Sequence, residues 1–86
     1  MIVVLKFMND SLAGLATGVS RMIASLDVPA DDAATLDGIG VSPGRAVTVL
    51  RRAPFGGPLH VRVDTGVEVA IDRALAEHIA LAPGAP

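Results

Sequence analysis

Catalysis needs a nucleophile beside a base, a bound metal, or carboxylates whose surroundings set them apart. This chain offers few such groups. It has no cysteine and two histidines, His60 and His78. Thiolate zinc sites and cysteine nucleophiles are therefore excluded. His60 shares the outward face of Leu59-His60-Val61-Arg62-Val63 with Arg62, while Leu59, Val61 and Val63 share the other. The simplest reading of such a histidine is an exposed polar residue. His78 directly follows Glu77, and adjacent residues on a helix do not face each other. Neither histidine has a third ligand at a metal-binding spacing. Asp31-Asp32 suits a first helical turn, where carboxylates meet the positive end of the helix dipole. A phosphate loop follows a strand and opens a helix; here Gly56-Gly57 lies between strands and Gly44 precedes one. The expectation is a non-enzyme with no catalytic residue, no cofactor and no resident metal ligand.

The surface offers more. Arg51-Arg52 leads into Pro54-Phe55-Gly56-Gly57-Pro58, an aromatic ring on a corner framed by two prolines. Such a corner loses little entropy on docking. A stiff apolar tip beside guanidinium groups has the chemistry of an interaction site. Arg51, Arg52, Pro54, Phe55, Gly56, Gly57 and Pro58 are the partner-binding candidates. The competing reading is that Phe55 folds back to cap a core poor in large side chains.

The elements that must hold this corner are short. Ala46–Arg52 and Leu59–Val63 have strand spacing, and Ser42-Pro43-Gly44-Arg45 ahead of them has the form of a type II turn. Upstream, Leu12 and Leu15, three apart, can plug one end of a core. Val19–Leu26 reads as a strand. Pro29 then sits near a helix start, Ala33, Ala34 and Leu36 continue the helix, and Gly38 or Gly40 ends it. Downstream, Asp64-Thr65-Gly66 joins a hairpin, and Val67, Val69 and Ile71 alternate inward. Asp72 is an N-cap candidate for one or two helical turns, and Ile79-Ala80-Leu81 is a last strand. The predicted architecture is mainly β: about five short strands closed into a small barrel, because closure removes exposed edges. A short helix lies between the first two strands and a helical turn before the last.

Composition narrows the class. Eighty-six residues form one domain. Residues 1–44 sum to −3 (Lys6 and Arg21 against five aspartates), and residues 45–86 to +1 (five arginines against four carboxylates). That is no phosphate-tracking stripe. Two phenylalanines are the whole aromatic content. Stacking platforms for single-stranded nucleic acid are thus missing. No apolar run approaches the roughly 20 residues that a bilayer core requires. Met1 to Met8 is apolar, but Lys6 follows its apolar part, the reverse of a signal peptide. The expected organisation is a leader over 1–10 that supplies an extra strand, a domain over 11–82 and a tail over 83–86.

Leu36, Ile39-Gly40-Val41, Pro43-Gly44, Val47, the run from Val49 to Leu59, Val61, Val63, Val69-Ala70-Ile71, Ala76 and Ile79 together resemble the FeoA family. The run from Val49 to Leu59 is the specific part. The resemblance spans roughly residues 11–81. It implies an SH3-like barrel and a cytoplasmic accessory protein of ferrous iron uptake. The implied partner is the membrane permease FeoB, whose cytosolic part binds GTP. It implies no reaction, no nucleic acid, and contact with the membrane only through that partner. A similar domain closes the iron-dependent repressors, which leaves a divalent-metal-sensing domain as the second reading. Ala33, Ala34 and Thr35 stand where many members carry arginine, so contacts of that basic patch do not carry over. A leader strand added to a neighbouring chain would give a homodimer.

Overall fold

The computed structural model describes residues 10–83. Its chain order is β1 (Asp10–Ser11), a 3-10 turn (Leu12–Gly14), β2 (Ser20–Leu26), α1 (Ala30–Gly38), β3 (Ala46–Arg52), β4 (Leu59–Val63), β5 (Glu68–Ile71), α2 (Arg73–Ala76) and β6 (Ile79–Leu81). The reading of Met1 to Met8 lies outside the described residues.

The turns follow from residue chemistry. Pro43 and Gly44 occupy the middle of their predicted turn, with Gly44 at φ 89° and the Arg45 N–H donating to the Ser42 carbonyl at 3.1 Å. Pro29 is the N-cap of α1 rather than its first residue, and Asp31 and Asp32 fill the first turn. Gly40, not Gly38, terminates α1. Its φ of 95° lets its own N–H reach the Asp37 carbonyl and the Val41 N–H reach back to Leu36. This is a Schellman cap, and Leu36 and Val41 supply the buried pair that accompanies it. Asp72 does precede α2, but its carboxylate makes no cap hydrogen bond.

The six strands form one antiparallel sheet in the order β1-β6-β2-β3-β4-β5. The expected closed barrel of about five strands does not form. The two end strands, β1 and β5, do not pair with each other among the described residues. β5 is four residues long, so that edge presents a short ladder. Leu12 and Ala13 from the 3-10 turn, Leu15 just after it and Ala76 from α2 are buried in the shared core, and α2 lies against that turn. The sixth strand is Asp10–Ser11, at the junction of the expected leader and domain, and it pairs with Leu81 and Ala80.

β2 serves both halves of the sheet. Ser20–Met22 pairs with β3, and Ile23–Leu26 pairs with β6 across a register shift between Ile23 and Ser25. Such a bulge bends a strand so that it can change partners. The core is aliphatic throughout: Val41, Val47, Val49, Val61, Ile79 and Leu81 are fully buried. Leu59, Val61, Val63 and Ile71 face inward as their alternation predicts. Val67 does not; it is 43% exposed, because it lies in the connection ahead of β5 rather than in the strand.

Candidate functional site

The site begins with a bulge. β3 and β4 pair Val47 with Val63 and Val49 with Val61, then shift register so that Arg51 pairs with His60 and Arg52 with Leu59. Residues directly opposite each other share a sheet face. Simple alternation would put Arg51 inward with Val47 and Val49. The extra residue, Leu50, reverses this. Arg51 joins His60 on the outer face, and Arg52 joins buried Leu59 on the inner one.

Arg52 is thereby committed to structure. Its guanidinium donates to the Ala13 carbonyl at 2.6 Å and to the Leu15 carbonyl through its second terminal nitrogen. It clamps the 3-10 turn to the base of the hairpin. Arg21 makes a matching clamp, donating to the Ala82 carbonyl at 2.9 and 2.6 Å and pairing with Asp10 at 3.3 Å. Arg51 is exposed, and among the described residues no carboxylate pairs with it.

The corner between β3 and β4 is a tight turn. The Gly57 N–H donates to the Pro54 carbonyl at 3.2 Å, and the Ala53 N–H to the Pro58 carbonyl at 3.0 Å. Phe55 has φ 60° and Gly56 φ 74°. Two successive positive φ values mark a type I′ turn, whose first central position favours asparagine, aspartate or glycine. Phenylalanine there costs roughly 1–2 kcal/mol. Gly57 has no room for a side chain, since a Cβ would stand 2.7 Å from that of Ala53. The ring gains nothing from burial. Phe55 is fully exposed at 103% relative accessibility, so it does not cap the core.

Beside the corner an open groove of about 480 Å³ runs across three strands. Arg51, Arg52, Ala53, Pro54 and Pro58 line it from β3 and the loop, His60 from β4, and Glu68, Val69 and Ala70 from β5. His60 Nε2 lies 3.3 Å from Glu68 Oε1, and Arg62 Nη1 lies 4.0 Å from Glu68 Oε2. Of the predicted residues, Arg51, Arg52, Pro54 and Pro58 meet at the groove. Phe55 and Gly56 form the exposed tip and half-buried Gly57 its base. Sequence reasoning does not reach Glu68, Val69 or Ala70. Their place follows from long-range register, His60 opposite Ala70 and Arg62 opposite Glu68, which leaves no local signal.

The other candidates stay apart from it. His78 is exposed after α2, and Asp31 and Asp32 are exposed on α1. Among the described residues no three His, Cys, Asp or Glu side chains gather as a metal site. No helix among them is long and apolar enough to cross a membrane.

The described residues form a small antiparallel sheet with an exposed aromatic corner on strained backbone, and no cluster of metal-ligating side chains gathers among them. A family model described as the FeoA domain matches residues 11–83. The chain belongs to the FeoA family. Among solved structures it is similar to a FeoA protein from Chlorobium tepidum, with 28% identity over 87% of this chain and 70% of that one and a TM-score of 0.80. It is also similar to an iron uptake regulatory protein (FeoA), with 25% identity over 87% and 96% of the two chains and a TM-score of 0.74. A third similar structure is the iron(II) transport protein A of Clostridium thermocellum, with 25% identity and a TM-score of 0.77; the match covers 85% of this chain and 44% of that one. No curated protein matches the chain.

Proposed function

We propose that this chain is a non-enzymatic cytoplasmic accessory protein of ferrous iron uptake. It docks on the cytosolic GTP-binding part of a FeoB-type permease and meets the membrane only through it. Membership of the FeoA family supports the iron-handling role, as do the names of the similar proteins, one an iron uptake regulatory protein and one an iron(II) transport protein. The observation that carries the docking site is Phe55, fully exposed and held at φ 60°. A fold that keeps a large ring in water on strained backbone forgoes stability at that residue, which is the mark of a functional constraint. Pro54, Gly56, Gly57 and Pro58 shape the corner, Arg51 flanks it, and Arg52 anchors its base.

The test is capture of the purified cytosolic domain by wild type and by Phe55→Ala. A central aromatic anchor is worth about 2 kcal/mol or more, so capture should weaken about thirtyfold with the melting curve retained. Equal capture would place the contact elsewhere. The divalent-metal-sensing reading has less support, because His60 and His78 find no third ligand among the described residues.

A further inference from the structure

β5 is an end strand, and its register shows which of its backbone groups are spare. The Val63 N–H donates to the Val67 carbonyl at 2.9 Å. In an antiparallel ladder hydrogen-bonded and non-hydrogen-bonded pairs alternate. With Val61 opposite Val69 and Leu59 opposite Ile71, these are the bonded pairs. Glu68 and Ala70 belong to the intervening pairs, so their N–H and C=O groups point away from β4, to the open side. Among the described residues no strand covers that side, and no other backbone bond reaches it.

This edge is continuous with the groove, since Glu68, Val69 and Ala70 line both. The groove also has an uncompensated charge. Glu68 is held by His60 and Arg62, and Arg52 donates to two carbonyls, whereas among the described residues no carboxylate pairs with Arg51. Arg51, His60 and Ala70 form one row across the three strands. The row spans about 10 Å at ordinary strand spacing. Ala70, with only a methyl group, leaves the groove open at the edge, and His60, drawn to Glu68, lies between it and Arg51.

We infer that an extended segment of the docking partner adds to β5 as a further strand, bonding the Glu68 and Ala70 backbone and directing a carboxylate side chain into the groove towards Arg51. Main-chain bonds would hold the segment, and the groove would select its acidic residue. This inference rests on the docking reading and specifies the chemistry of the partner.

Amide hydrogen exchange on the whole chain, with and without saturating cytosolic domain, tests it. The Glu68 and Ala70 amides should slow at least tenfold on binding. Ala70→Pro removes an outward N–H without breaking a bond to β4, a position where edge strands tolerate proline. It should weaken binding at least tenfold, and Arg51→Glu should do the same. If binding depends on Phe55 but the two amides exchange at the free rate, strand addition is overturned and the corner reading stands. If wild type does not bind, both fall. Protection of both amides in the isolated chain, with a dimer by light scattering, would make a second copy the occupant and overturn the inference.

Discussion

Two neighbouring residue pairs show how much one position can mislead or inform. Arg51 and Arg52 are alike in sequence and opposite in role. The first stands exposed at the groove, while the second binds the Ala13 and Leu15 carbonyls. Hydrogen bonds from a charged donor are worth about 1.5–3 kcal/mol each. Arg52→Ala should therefore lower stability by roughly 2–3 kcal/mol in a denaturant titration. Arg52→Lys should recover little of it, because an ammonium cannot reproduce the planar fork. Arg51→Ala should leave stability within about 0.5 kcal/mol, as at other exposed sites. Phe55-Gly56 was legible as a corner, from its prolines and glycines. Its exposure was not, because residue type alone does not say whether a ring folds back.

At the scale of elements, local chemistry was most readable where one residue fixes a dihedral angle. The Pro43-Gly44 turn, the acidic first turn of α1 and the Asp64-Thr65-Gly66 hairpin all formed as expected. The bulge at Leu50 was not readable. Ala46–Arg52 alternates well enough to suggest a regular strand, and only pairing with β4 reveals the extra residue. That bulge assigns the two arginines to their faces. α1 is attached to the core by little: Leu36 is its buried residue, and Gly40 ends it at φ 95°. Leu36→Ala should cost about 2–4 kcal/mol by chemical denaturation. Gly40→Ala should cost about 1–2 kcal/mol from backbone strain, and its Cβ would stand 3.4 Å from Val63 Cγ2. The two effects should fall short of additive, because Leu36 and the cap share the Val41 contact.

For the molecule as a whole, strand count and mainly β content were nearly right and closure was wrong. Closure was inferred from the need to protect edges. The sheet stays open between β1 and β5 among the described residues, and Leu12, Leu15 and Ala76 are buried in its core. The family resemblance came from the specific run Val49–Leu59, and the family model matches residues 11–83. The groove was invisible to sequence because three strands distant along the chain contribute to it. The account as a whole turns on Phe55 being retained for contact at the expense of the fold. Phe55→Asn separates the two. It creates Asn-Gly at the centre of a type I′ turn, the favoured pair, and removes the ring. The decisive measurement is calorimetric titration of this variant with the cytosolic GTP-binding domain, with thermal melts alongside. Relief of about 1 kcal/mol of strain should raise the melting temperature by roughly 4–8 °C, while affinity falls about thirtyfold. Unchanged affinity, or a lower melting temperature, would contradict it.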